Sequence, residues 1–159
     1  MDMKETYMAA ALTMAKKAQK KDEVPVGAII VKDDRIIAKA YNLRETKRNP
    51  LAHAEILAIE KAARKLGGWR LSGCTLYVTL EPCPMCAGAI VNARIDEVVF
   101  GAYDPKAGAC GSLYNLAEGR LNHTPRVTGG VLADEAAAML KAYFRNKRAA
   151  GKGGTVSQP

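Results

Sequence analysis

Hydrophobic and polar positions alternate along this chain with two periods, and the changes of period mark out its elements. Over residues 4–20, Tyr7, Met8, Ala11, Leu12 and Ala15 recur on one helical stripe, and lysines gather at the C-terminal end, where cations suit the helix dipole. Residues 24–31 are rich in β-formers, with a glycine at Gly27. Lys32-Asp33-Asp34-Arg35 is a polar turn, and 36–42 reads as the partner strand of a hairpin. A polar loop over 43–50 leads to a helix over 53–66, in which Ile56, Leu57, Ile59, Ala63 and Leu66 keep helical spacing until Gly67-Gly68 stops it. Residues 74–80 form a strand, 84–93 a short helix and 96–102 another strand. The glycine-bearing loop over 103–122 is longer than compact domains usually tolerate without a reason. A fifth strand is expected over 127–132, interrupted by Gly129-Gly130, and a last helix over 133–148 with Asp134 as its cap. Trp69 reads as a packing residue, 151–159 as a flexible tail, and no internal repeat is visible.

This order predicts an α/β fold: a three-layer α/β/α sandwich with helices on both faces of a central five-stranded mixed sheet. The strands at 74–80 and 96–102, joined through a helix, should lie parallel by a right-handed crossover. At 159 residues and 17.1 kDa the chain is expected to form a single domain over 1–150. Such a domain buries roughly 68–70% of the surface its unfolded chain exposes, so it needs no disulfides. No signal peptide is expected, and no apolar run approaches the ~18 residues that span a bilayer. A reducing cytoplasmic setting follows, in which a CxxC pair binds metal or does redox chemistry. The net charge of +8 favours a polyanionic partner, since neutralising phosphates releases counterions.

Two short signals carry the chemistry. His53-Ala54-Glu55 and Pro82-Cys83-Pro84-Met85-Cys86 offer one imidazole, two thiols and a carboxylate not needed as a ligand. Structural zinc sites usually close with four protein ligands, whereas catalytic ones keep three and leave the fourth position to water. Cys83 and Cys86 sit at the start of a predicted helix, where the dipole favours thiolates, and His53 opens another. Glu55 can then reach the water without coordinating and move its proton. A redox dithiol would sit in a thioredoxin-like strand-to-helix context with no histidine to share the metal. A structural zinc could borrow Cys74 or Cys110 as a fourth ligand. Cys74 lies in a predicted buried strand and reads as a small hydrophobe, whereas Cys110, in the long loop, stays open.

The His-x-Glu and Pro-Cys-x-x-Cys pair resembles the signature of the zinc nucleobase deaminases. Further segments, among them Val24-Pro25-Val26-Gly27-Ala28, Leu76-Tyr77-Val78-Thr79-Leu80-Glu81-Pro82-Cys83, Gly111-Ser112-Leu113 and Asn122-His123, are similar to the bacterial tRNA-specific adenosine deaminase family over about residues 4–148. That family belongs to the zinc-dependent cytidine/deoxycytidylate deaminases. The resemblance implies a cytidine deaminase-like fold and one Zn2+ per subunit, held by His53, Cys83 and Cys86. It also implies a homodimer and hydrolytic conversion of adenosine to inosine at the wobble position of a tRNA anticodon, with arginine tRNA bearing ACG as the expected substrate. Zinc-bound hydroxide would attack C6 of a flipped adenine with Glu55 as proton shuttle. Asn42 would hydrogen-bond the base. Backbone groups near Ala54, Pro82 and Cys83 would hold the base and the developing charge. Asp104, Lys106, Phe144 and Arg145 would contact the anticodon stem-loop. Lys141, Lys147, Arg148 and Lys152 would extend a phosphate track. Pro105, Ala107, Cys110 and Asn115 depart from the family's best-known members. Two rival functions are a free-base deaminase acting on guanine or cytosine, and a non-catalytic zinc-stabilised RNA-binding module, which would not need Glu55.

Overall fold

The computed structural model describes residues 1–151; the tail expected over 151–159 lies outside the described residues apart from Gly151. Four helices and five strands follow one another as α1 (Met3–Lys20), β1 (Gly27–Lys32), β2 (Arg35–Tyr41), α2 (Ala54–Leu66), β3 (Cys74–Leu80), α3 (Pro84–Asn92), β4 (Glu97–Ala102), β5 (Arg126–Thr128) and α4 (Ala133–Ala150). The strands form one sheet in the order β2-β1-β3-β4-β5. β1 pairs antiparallel with β2 and β3, while β3–β4 and β4–β5 are parallel, so the sheet is mixed as expected.

Local chemistry explains the boundaries. Asp2 caps α1, its side chain accepting the Glu5 N–H at 2.8 Å while the Glu5 carboxylate accepts the Asp2 N–H. The β1–β2 hairpin turns on Asp33 and Asp34, both at positive φ (51° and 59°), the pairing that a two-residue turn needs to match the strand twist. Gly67, at φ 76°, closes α2.

Three expected boundaries move. β1 begins at Gly27 rather than Val24. β5 is only three residues long, and Gly129-Gly130 follow it instead of interrupting it. α4 is not capped by Asp134. Leu132 occupies the N-cap position in the left-handed region, with no side-chain cap bond, and Asp134 adds negative charge to the first turn. Trp69 is the fourth correction. It is 60% exposed and carries the guanidinium groups of Arg70 and Arg94 over its ring at 4.8 and 5.8 Å, because it lies in the α2–β3 connection beyond the core.

Each face of the sheet has its own core. Met8, Ala11 and Met14 of α1 pack on Ile29, Val31, Tyr77 and Val99. Ala54, Ala58 and Ala62 of α2, with Ile90 of α3, pack on Ala28, Ile30, Leu76, Val78, Val98 and Phe100. α4 joins the α1 side through Ala136, against Leu12 and Ala102. β1 is buried on both faces and reads accordingly as an unbroken apolar run.

At Gly27 the backbone of α1 comes so close that a Cβ would overlap the Ala11 carbonyl oxygen and the Ala15 nitrogen. Gly27→Ala is therefore expected to push α1 off the sheet at a cost of about 1–3 kcal/mol. Thermal denaturation should show the midpoint falling by roughly 2–12 °C; an unchanged midpoint would mean that the helix moves freely.

Candidate active site

Two helix N-termini converge where β3 ends. His53 is the N-cap residue of α2 and Cys83 that of α3, and neither side chain makes a cap hydrogen bond. An N-cap position usually carries Ser, Thr, Asp or Asn, and replacing such a residue costs a helix about 1 kcal/mol. Here both positions carry donors that turn away from their helices towards each other. Pro84 at N1 fits where a helix needs no N–H, and Cys86 follows within the first turn.

The resulting cluster is compact. Cys83 Sγ lies 3.8 Å and Cys86 Sγ 3.5 Å from His53 Nδ1, and the three donor atoms all fall within 4.8 Å of one another. A tetrahedral ion with Zn–S of about 2.3 Å and Zn–N of about 2.0 Å sets its ligand atoms roughly 3.5–3.8 Å apart. The donor set and its spacing therefore fit zinc. Cys74 and Cys110 are outside the cluster, which leaves three protein ligands among the described residues, the pattern of a catalytic site.

Protonation follows from the packing. The Cys83 thiol is pulled down to about 4, chiefly by a hydrogen bond from Cys86, against the opposing effect of burial, with a smaller further contribution from His53. Cys86, the donor of that pair and itself buried, is pushed up. His53 is raised, first by its hydrogen bond with Cys83, against the opposing effect of burial. Glu55 is 4% exposed, and burial lifts its carboxyl to about 7. A carboxyl poised there can take or give a proton near neutrality.

Above the cluster opens a groove of about 1140 Å³. Asn42, His53, Ala54, Glu55, Cys83, Asp104, Lys106, Phe144 and Arg145 all line it, so residues from five separate segments meet there. Cys86 is buried beneath it. Pro82 is buried and does not line the groove, its carbonyl accepting the Ala109 N–H at 2.8 Å. Asn42 is 8% exposed. It accepts the Arg44 N–H at 3.0 Å and donates to the Val24 carbonyl at 3.3 Å, so one side-chain hydrogen and one lone pair stay available. Asp104 Oδ1 is occupied by the Lys106 and Ala107 N–H groups at 3.0 and 3.2 Å, which makes it a turn former.

α4 divides the basic stretch. Lys141, Arg145 and Arg148, at i, i+4 and i+7, line the groove beside Phe144, whereas Lys147 pairs with Asp22. Tyr143, rather than Phe144, is the helix's buried aromatic, and its hydroxyl donates to the Asp22 carbonyl at 3.1 Å. Lys152 lies outside the described residues.

Sequence reasoning missed Arg44 and Tyr103 on the groove wall, and two buried carboxylates behind it. Glu23, 1% exposed, accepts the Glu45 and Thr46 N–H groups at 3.1 and 2.6 Å and so holds the loop that carries Arg44. Glu81 does the same for the long loop after β4. Glu81 did leave a signal, a lone acidic residue at the end of the apolar 74–80 run, whereas Glu23, next to Asp22 after a lysine-rich stretch, left none.

A groove over three metal-type donors and a buried acid, set on this sheet, defines a class. The chain belongs to the deaminase family described as MafB19-like deaminase, whose model matches residues 1–148. Within it, the chain is 56% identical to the tRNA-specific adenosine deaminase of Bacillus subtilis (strain 168) over 149 residues, which cover 93% of this chain and 92% of that one. It superposes with a TM-score of 0.82, at 44% identity, on a solved structure from studies of A-to-I editing by tRNA:A34 deaminases at the wobble position of transfer RNA; the match covers 85% of this chain and 99% of that one. The guanine deaminase of Nitrosomonas europaea is also similar, with a TM-score of 0.79, 29% identity and coverage of 89% and 84%.

Proposed function

We propose that the chain is a zinc-dependent hydrolase that deaminates adenosine to inosine at the wobble position of a tRNA anticodon. The observation that carries this reading is a donor cluster fit for zinc, with Glu55 beside it, at the floor of a groove walled by Arg44, Lys106, Lys141, Arg145 and Arg148. The high identity to tRNA-specific adenosine deaminases supports the substrate.

His53, Cys83 and Cys86 would hold one zinc per subunit. The chemistry such an ion supplies is the acidification of a water, whose pKa falls to about 7 in favourable sites. Glu55 takes a proton as water adds to C6 of the adenine and passes it to the adjacent ring nitrogen. It then takes the proton of the new C6 hydroxyl and gives it to the departing amino group, which leaves as ammonia while the C6 carbonyl forms. The free side-chain hydrogen and lone pair of Asn42 hold the edge of the flipped base, with backbone groups around Ala54 and Cys83 flanking it. Phe144 offers a face for a neighbouring base to stack on. Arg145, Lys106 and the turn set by Asp104 meet the loop backbone. An anticodon loop suits such a site because its bases are already partly unstacked, so extrusion costs only about a few kcal/mol.

Residues 1–150 act as one domain and pair as a homodimer; exposed Leu113, Tyr114 and Leu121 on the long loop leave apolar surface for a second copy. No helix among the described residues is long and apolar enough to cross a membrane. The reading sets the enzyme in the cytoplasm, where tRNA is found and thiols stay reduced.

The test is incubation of the zinc-loaded protein with arginine tRNA bearing an ACG anticodon, followed by sequencing for inosine, beside parallel reactions with free guanine, cytosine and adenine. Deamination of a free base alone would favour the second reading, which the similarity to guanine deaminase supports. The groove's size and five basic side chains exceed what one neutral base requires. If those five each neutralise one phosphate of single-stranded RNA, log K should fall against log salt with a slope of about −3.5. Filter binding between 50 and 200 mM salt is then expected to show affinity dropping about 100-fold; a flat response would remove the groove cations from the interface.

A further inference from the structure

Glu81 leaves the end of β3 between Leu80 and the Pro82-Cys83 turn, 2% exposed, its N–H donating to the Ala102 carbonyl at 2.9 Å. Its carboxylate accepts four hydrogen bonds. Oε1 takes the Asp104 N–H at 3.0 Å and the Ser112 hydroxyl, and Oε2 takes the Cys110 N–H at 3.1 Å and the Ser112 N–H at 3.0 Å. Every one of those donors belongs to the loop over residues 104–112, and that loop brings Asp104, Pro105, Lys106 and Ala107 to the groove. Gly108 lies against the carboxylate so closely that a Cβ would overlap Glu81 Cδ and Oε1.

From this arrangement we infer that Glu81 is a positioning residue for the RNA substrate, clamping the 104–112 loop so that Lys106 stands at the groove. The inference rests on the proposed function. It also explains a loop whose length the sequence could not justify: with few apolar anchors of its own, it is tied to the end of β3 by this buried side chain and by the Ala109 N–H on the Pro82 carbonyl. The residue type follows from donor counting. Four donors converge on two oxygens, and an ionised carboxylate offers only acceptors. An amide of the same shape turns a hydrogen towards at least one backbone N–H, so Glu81→Gln is isosteric yet incompatible with the clamp.

The experiment uses the zinc-loaded enzyme and an anticodon stem-loop RNA. Glu81→Gln is expected to raise KM about tenfold or more, the scale of losing a charge-assisted hydrogen bond, while kcat stays within about threefold and one zinc per chain is retained. Trypsin should cut between Lys106 and Ala107 faster than in the unsubstituted enzyme. Gly108→Ala, which presses on the same carboxylate from the other side, should give the same pattern if Glu81→Gln does not fold. Ser112→Ala removes one donor and leaves the backbone bonds, so its KM should rise only about 2–5-fold. Glu81→Gln combined with Lys106→Ala should lose no more than the worse single variant, because a released loop no longer presents Lys106.

Additive losses in that pair overturn the inference, as does an unchanged KM. Joint loss of zinc and kcat also overturns it, since Glu81 would then be supporting the Pro82-Cys83 turn. If the unsubstituted enzyme does not edit RNA, the proposed function fails separately. The tryptic cut still reads the clamp in that case: faster cutting supports it and unchanged cutting refutes it.

Discussion

Glu55→Gln lowers turnover by about 10²–10⁴-fold, the range that a positioned acid–base group supplies, while zinc content and RNA affinity hold. The expectation comes from where the carboxyl sits. It lines the groove next to the donor cluster, is 4% exposed, and is held at about 7 by burial. It is not one of the three clustered donors, so its removal leaves His53, Cys83 and Cys86 in place. The same substitution should stabilise the metal-free protein. The folded-state value is raised above the ordinary carboxylate value, so the folded chain binds more protons than the unfolded one between about pH 4.5 and 7. Native stability therefore falls as pH rises through that window, by up to about 3 kcal/mol for a shift of this size. Glu55→Gln escapes that loss, and its advantage should be absent near pH 4 and full above pH 7. Denaturant melts of the metal-free pair across that range, with single-turnover assays of the loaded pair, check both halves. Inosine formation at the unsubstituted rate would take Glu55 out of the mechanism.

Removal of the metal, or of one ligand by Cys83→Ala, is expected to reduce deamination by at least about 10³-fold, since a Lewis-acidic ion contributes several kcal/mol to such a step. The fold should survive. Cys83 is absent from all three core clusters and Cys86 likewise, so the two apolar layers on the sheet do not depend on the ion. Circular dichroism of the chelated protein should keep its native form while elemental analysis reads no zinc. Uptake should also release protons. Cys86 is pushed up by its hydrogen bond to Cys83 and by burial, so it enters the metal-free site as a thiol and must lose its hydrogen to coordinate. Zinc affinity is accordingly expected to rise with pH, and calorimetry in buffers of different ionisation enthalpy should count at least one proton per ion. A fully active enzyme with no metal, or uptake without proton release, would refute this account.

The elements with the strongest local chemistry were the most legible. α1, α2 and α3 were readable because apolar spacing, a glycine stop and a proline start act within a few residues. The parallel β3–β4 pairing followed from its helical crossover. β5 and the cap of α4 were not readable in this way. β5 is half-exposed and three residues long, so no alternation could define it. Leu132 enters α4 in the left-handed region with no side-chain cap bond, and a leucine carries no local signal for that position. Trp69 shows the same limit: aromatic composition suggests burial, but only the path of the α2–β3 connection leaves the ring outside.

The site divides along the same line. His53, Glu55, Cys83 and Cys86 were identifiable from the sequence alone because the chemistry they serve demands particular donors at short spacing, and that demand is written in residue identity. That α2 and α3 aim their first turns at one point, 3.5–3.8 Å apart at the donor atoms, is a property of the sheet that both helices pack on. Tertiary structure alone also separated Arg145 and Arg148 from Lys147 and turned Phe144, not Tyr143, to the groove. It alone gave Glu23 and Glu81 their partners. A buried carboxylate declares its role only through the backbone N–H groups that reach it, and those come from loops 22–31 residues away, a distance that no local pattern spans.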